Sequence, residues 1–278
     1  MTYDCSVIVI AHNECETIRE CIDSLKAQSF PSLEIIVVDN GSTDSTPRIA
    51  SEAGAVVVSE PILGRGIARN KGILSARASM VAFIDSDAIA DRDWLRYLME
   101  HIMQRDIAGV NSNIYASNTD KFVPKLIDIV LRDKPPHGTG CVLYQKRVLL
   151  GVGLYNERLF AAEDVEIAWR IIRKNYEIEF EPKAIVHHKH PETLRKFLNQ
   201  QYDFGRWSLI ARKISGESTL KPKLLILFWP LTFFKHLPKI KKHPLLPFFL
   251  TASSMAYATG TLRGTLTSGI KAEANIKT

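Results

Sequence analysis

Short apolar runs alternate with amphipathic stretches through the first third of the chain. Cys5 to Ala11 is almost wholly apolar and leads into His12-Asn13-Glu14. Leu33 to Val38 leads into Asp39-Asn40-Gly41-Ser42-Thr43-Asp44, Ala55 to Ser59 is a third short run, and 80–84 leads into Asp85-Ser86-Asp87. Runs of this length and continuity predict strands buried on both faces. Between them, Ile18, Cys21, Ile22 and Leu25 share one face of a helix over about 15–28. A second helix follows Thr43 or Asp44 as its cap, with Pro47 in its first turn, and a third covers about 65–78. Strand–helix alternation with short loops predicts an α/β doubly wound parallel sheet. Ligands gather at the carboxyl ends of such strands, and all three polar clusters fall there.

Further on, a helix is expected over 91–104, capped near Asp91, then a strand over 107–115 and a helix over 121–132. Residues 134–138 read as a loop, 141–144 as an apolar run and 154–162 as irregular. Glu163-Asp164 opens an amphipathic helix with Val165, Ala168, Trp169 and Ile172 on its expected inner stripe. Two strand pieces, 177–181 and 184–187, precede His187-His188-Lys189-His190 and a long helix over 192–213. The expected domains are 1–212, an α/β unit with a mixed later part, and 213–278, an apolar, basic helical tail.

Charge sharpens that division. Residues 212–278 hold 11 Lys and Arg against Glu217 and Glu273, leaving 25 basic against 28 acidic residues before them, from totals of 36 and 30. A basic tail on a near-neutral body points to an anionic surface. Leu224 to Phe234 and Leu245 to Leu262 are uncharged, and the second is at the lower edge of spanning length. Segments with aromatics and flanking lysines suit the membrane interface, with a buried helical hairpin as the alternative. Trp229, Phe233 and Phe234 sit among aliphatics rather than interleaved with arginine, so no nucleic acid partner is expected. The expected location is the cytoplasmic face of the cell membrane, peripheral or shallowly inserted. Cys5, Cys15, Cys21 and Cys141 form no C-x-x-C pair and suit a reducing compartment, and the N-terminus shows no signal peptide pattern.

The chemistry concentrates at Asp85 and Asp87. Two carboxylates ending a buried strand repel each other, and a hard divalent cation, Mg²⁺ or Mn²⁺, removes that cost. A plain strand-end turn is the alternative reading.

Five motifs stand in order: Ser6 to Glu14, Ile35 to Asp44, Gly66-Ile-Ala-Arg-Asn-Lys-Gly72, Phe83-Ile-Asp-Ser-Asp87 and Ala162-Glu-Asp164. Over residues 5–210 the chain resembles the family 2 glycosyltransferases of the GT-A fold, inverting enzymes that use nucleotide diphosphate sugars. The resemblance implies a UDP- or GDP-sugar donor and a glycan or lipid-linked acceptor. It implies that Ala11, Asn13, Glu14 and Asp39 line the nucleoside pocket and that Arg69 and Asn70 lie near the nucleotide and diphosphate. Asp85 would face the ribose, Asp87 and His188 the metal, Asp164 would serve as general base, and Glu163 would orient the sugar or acceptor. Plainer readings stay open for each: a surface arginine, acids complementing a helix dipole, solvated histidines. Gln201 stands five before Arg206, which is not the Gln-x-x-Arg-Trp of processive synthases. A sugar nucleotidyltransferase would need a Gly-rich, basic loop after the first strand, where this chain has Ala11-His-Asn-Glu14. A non-catalytic nucleotide-sugar-binding or scaffold protein would not require Asp85, Asp87 and Asp164 to be intact.

Overall fold

The computed structural model describes residues 3–105, 107–131, 140–216 and 243–267. Its strands are β1 (Cys5–Ala11), β2 (Leu33–Asp39), β3 (Val56–Ser59), β4 (Met80–Asp85), β5 (Ala88–Ala90), β6 (Gly109–Ala116), β7 (Val142–Gln145) and β8 (Ile178–His188). The helices are α1 (Ile18–Lys26), α2 (Thr46–Glu52), α3 (Arg65–Ser75), α4 (Trp94–Gln104), α5 (Phe122–Leu131), α6 (Lys146–Gly151), α7 (Glu163–Arg173), α8 (Leu194–Ile214) and α9 (Leu246–Thr267). The expected apolar run at 224–234 and the loop at 134–138 lie outside the described residues.

All eight strands form one sheet in the order β3-β2-β1-β4-β7-β6-β8-β5. The first four are parallel, as the alternation predicts, and their continuous apolar runs are split between two faces. Val7, Val9, Val37, Ala82 and Ile84 pack on one side with residues of α1 and α4. Ile8, Ile36, Val38, Val81 and Phe83 pack on the other with residues of α3, α6 and α7. Beyond β4 the sheet is mixed, as expected of the later part of this unit. Strand β7 runs antiparallel to both β4 and β6, and β5 runs antiparallel to β8. The pieces 177–181 and 184–187 are one strand whose register jumps between Ser112↔Glu181 and Asn113↔Ile185. Pro182 has no N–H for the ladder, and its carbonyl instead accepts from Asn113 Nδ2 at 3.2 Å.

Two local expectations also change. Asp44 does not cap α2 from outside; its carboxylate accepts from Thr46 N and Oγ1, and Ser45 is the cap residue. The inner stripe of α7 is Glu163, Glu166, Ile167, Ala168 and Ile171, while Ile172 is exposed. Periodicity misplaces this stripe because Glu166 is buried against Arg170, whose guanidinium also donates to the Val152 and Leu154 carbonyls. A polar residue satisfied in this way can occupy an inner position.

The chain divides into two compact units, 1–118 with 131–190, and 119–130 with 191–278. The expected boundary at 212 falls within α8, a continuous helix that packs against α9 in the second unit. There Val123, Leu126 and Ile127 of α5 meet Phe197, Leu246 and Phe249, with the two phenylalanine rings stacked 4.6 Å apart.

Candidate active site

Strand register sets the first half of the site. Ala11 pairs with Asp39, and Ile10 pairs with Asp85, so the ends of β2, β1 and β4 stand side by side. Asn40 N donates to the Ala11 carbonyl at 2.8 Å, tying the loops after β1 and β2 together. Asn13, at φ 57°, turns the chain there; its Oδ1 accepts from Thr43 N at 2.8 Å and its N–H donates to Ser42 Oγ at 3.0 Å. Asn tolerates the left-handed region better than branched residues. Buried Asp39 accepts from Ser42 N at 3.3 Å. The Glu14 carboxylate accepts from Thr17 Oγ1 at 2.9 Å. Partial burial raises its pKa, the Thr17 bond opposes this, and the charge of Asp87 adds to it. The expected nucleoside-pocket residues are therefore brought together on two cross-braced loops.

The second half gathers at the end of β4. Parallel β6–β8 and antiparallel β5–β8 pairing bring His188 opposite Ala116 and Ala88, beside the Asp85–Asp87 turn. His188 Nε2 stands 3.3 Å from Asp85 Oδ2 and 3.3 Å from Asp87 Oδ1. Burial works against the imidazolium, but the two carboxylates raise its pKa to about 9. Partial desolvation would raise Asp85, yet His188, Arg69 and Arg65 hold it well below the usual carboxylate range. Asp87 is raised by desolvation and by Asp85, with His188 opposing. A protonated ring between two carboxylates supplies positive charge where a cation would be stabilised. Carboxylate oxygens with one imidazole suit Mg²⁺ or Mn²⁺. Among the described residues no three His, Cys, Asp or Glu stand in complete ligand geometry. A Mg²⁺-type site using one or two carboxylates takes its remaining ligands from water and phosphate.

The third part is the start of α7. Ala162, at φ 62°, precedes it in the left-handed region, which costs an alanine roughly 1–2 kcal/mol. That kink sets Glu163 and Asp164 on the first turn. Asp164 is half-buried, and its Oδ1 accepts from Val165 N at 2.8 Å. Glu163 is sealed inside. Its Oε1 accepts from Arg69 Nη1 at 2.5 Å, while Oε2 has no hydrogen-bond partner. Burial pushes the Glu163 carboxyl up, Arg69 opposes this and Asp164 adds to it. Arg69 Nη2 reaches to 4.0 Å from Asp85 Oδ1, and its guanidinium lies over the Phe83 and Tyr155 rings. One arginine thus links the end of β4 to the start of α7.

Asn70, on α3 next to Arg69, is hydrogen-bonded to the loop before α7. Its Nδ2 donates to the Tyr155 carbonyl and Glu157 Oε1, both at 3.0 Å, and its Oδ1 accepts from Tyr155 N at 2.8 Å. Its hydrogen-bonding capacity is spent on holding the loop before α7. Sequence reading passed over two other residues. A Cβ on Gly140 would overlap the Asp85 carboxylate, so a larger residue there would displace that carboxylate. Exposed Arg65 lies one turn before Arg69, and its charge lowers Asp85 and Glu163. The i,i+4 spacing from Arg69 was the available signal for it.

Comparison with known proteins places this fold in a family. The chain belongs to glycosyl transferase family 2, whose family model matches residues 6–151; the glycosyl transferase family group 2 model matches residues 80–267. It is 27% identical over 221 residues to the pre-mycofactocin glycosyltransferase of Mycobacterium tuberculosis, covering 73% of this chain and 46% of that protein. It is 27% identical over 246 residues to a poly-beta-1,6-N-acetyl-D-glucosamine synthase of Staphylococcus epidermidis, covering 80% and 59%. The chain thus spans about half the length of these curated relatives. Among solved structures it resembles the mannosyltransferase PcManGT of Pyrobaculum calidifontis, in complex with GDP-Man and Mn²⁺, at TM-score 0.63 and 20% identity over 97% of this chain and 80% of that one. The glucosyl-3-phosphoglycerate synthase of Mycobacterium tuberculosis, solved with Mn²⁺ and UDP-Glc, gives TM-score 0.61 and 22% identity over 78% and 81%. At these identities the structural likeness is one of fold. The GT-A expectation holds for the fold.

Proposed function

We propose that the chain moves a sugar from a UDP- or GDP-sugar to a hydroxyl of a lipid-linked or cell-surface glycan, with inversion and with Mg²⁺ or Mn²⁺. The observation that carries this reading is the convergence of Asp85, Asp87 and His188 at one strand end, with Arg69 linking Asp85 to the start of α7.

In this reading Ala11, Asn13, Glu14 and Asp39 enclose the nucleoside, and Asp85 faces the ribose. Asp87 and His188, once its ring has lost a proton, would hold the metal, which would supply positive charge against the departing diphosphate. Asp164 accepts the proton of the acceptor hydroxyl on its free carboxylate oxygen. The hydroxyl oxygen then bonds to the anomeric carbon as the carbon–phosphate-oxygen bond breaks, and that electron pair leaves on the nucleoside diphosphate. Glu163 serves differently from its expected contact with sugar or acceptor: paired with Arg69, it fixes the turn that presents Asp164.

The reading is tested by titrating the protein with UDP- and GDP-sugars in the presence of Mn²⁺ or Mg²⁺ and measuring nucleoside diphosphate release. Tight binding of one donor, lost on chelation with EDTA, is expected. Neither binding nor release across the panel would overturn it.

A further inference from the structure

Helix α9 is built inside out. Its first turns pack conventionally, with Leu246 and Phe249 buried among residues of α5 and α8. Beyond them its inward face is made of small residues, Ala258, Gly260, Thr261 and Gly264. A Cβ on Gly260 would overlap the Tyr202 carbonyl of α8, and one on Gly205 of α8 would overlap the Tyr257 carbonyl of α9. The two backbones therefore run in direct contact, and Thr261 Oγ1 donates across to the Gly205 carbonyl at 3.3 Å. Gly260 and Gly264 are four residues apart, the spacing that allows such close approach.

The large apolar side chains of α9 point the other way. Phe248 and Met255 are each 66% exposed, and Leu245, just before the helix, is 55% exposed. Phe248 and Met255 lie seven residues apart and so share one helix face. Soluble helices ordinarily turn their large apolar residues toward the core. Beyond the first turns the contact with α8 is made by small residues, which leaves no room there for a large side chain. The helix carries no Asp or Glu, and between residues 212 and 278 the sequence has 11 basic residues against two acidic ones. An outward apolar stripe in a basic segment is complementary to an anionic phospholipid surface, with acyl chains for the stripe and headgroups for the cations. No described helix is long and apolar enough to cross a membrane.

We propose that the outward face of α9, centred on Phe248 and Met255, docks into the interfacial layer of an anionic phospholipid bilayer. This is independent of the transfer reading, because it rests on neither the donor nor the catalytic carboxylates.

The test is co-sedimentation of the full chain with phosphatidylcholine vesicles, with and without phosphatidylglycerol, at low and high salt. Wild-type protein is expected to partition to the anionic vesicles, more weakly as salt rises. Phe248→Glu/Met255→Glu is expected to lose roughly tenfold or more in partitioning. Met103→Glu, which replaces an exposed apolar residue on α4, should bind as wild type does. Near-UV circular dichroism of the double variant establishes that it is folded, and donor titration reports the transfer site separately. Absence of wild-type sedimentation, or equal sedimentation of the folded double variant, overturns the proposal. A concentration-dependent dimer that the double variant abolishes, without vesicle binding by either protein, would instead make the face a contact between copies and also overturn it.

Discussion

Arg69 and Glu163, 94 residues apart in the chain, form an ion pair whose side chains are only 6% and 2% exposed. Two charges removed from water hold each other at a desolvation cost, so the pair is sensitive to loss of one member alone. Arg69→Met should lower unfolding free energy by about 3–5 kcal/mol, because Glu163 is left buried and uncompensated. Adding Glu163→Gln should recover part of that loss. Urea denaturation of the two single variants and the double variant measures the coupling, and additive effects would show that the contact carries no such energy.

Asp164 accepts from the N–H of the next residue, a bond that an asparagine oxygen can also accept. Asp164→Asn should therefore keep the fold and donor affinity while lowering kcat by about 10²–10⁴-fold. Full turnover in the variant would remove Asp164 as the base.

Gly140 gives a more local test. A methyl group there must push the Asp85 carboxylate away from His188 and Arg69. Gly140→Ala should cost about 10–100-fold in turnover with little change in melting temperature, since sub-ångström to ångström misplacement is enough. A melting temperature lowered in step with activity would point to general damage instead.

His101 on α4 bridges two carboxylates of β8, with Nε2 2.7 Å from Glu179 and Nδ1 2.9 Å from Glu181. Both ring nitrogens can donate only when the ring is protonated. Burial disfavours that form, but the two glutamates win and raise the pKa above its ordinary value of 6.5. Arg105, which also pairs with Glu179, competes for one of them. A folded pKa above the unfolded one means that the stabilisation is complete below the unfolded value and is lost as pH rises through the folded value. His101→Gln should cost about 1–2 kcal/mol near pH 6, with the gap to wild type narrowing toward pH 9. Denaturation midpoints at the two pH values check the sign.

In the second unit, Gly260→Val should separate α8 from α9, since the side chain would overlap the Tyr202 carbonyl. Overpacking of this kind costs roughly 1–3 kcal/mol. A variant with an unchanged melting temperature would show that the helices do not depend on this contact.

The sequence by itself determined the elements whose signal is local. The runs at Cys5–Ala11, Leu33–Asp39 and Met80–Asp85 are strands because apolar residues fill both faces, and their polar ends fall at the carboxyl edge. The ordered motifs likewise located Asp39, Asp85, Asp87 and Glu163-Asp164 on strand and helix ends. Tertiary structure decided what depends on residues distant in sequence. Strand β7 lies antiparallel between β4 and β6, which no local pattern encodes. The pairing of β8 beside β5 brought His188 to the carboxylates, and Arg69 met Glu163 only after α3 and α7 had packed on the same face. Asn70 was committed to the loop at Tyr155, and Glu166 was turned inward by Arg170. The uncharged stretch at 245–262 likewise showed its composition but not its orientation. Glycine contacts with α8 set the small residues of its later turns inward, because the close backbones leave no room there for larger side chains, and Phe248 and Met255 face outward.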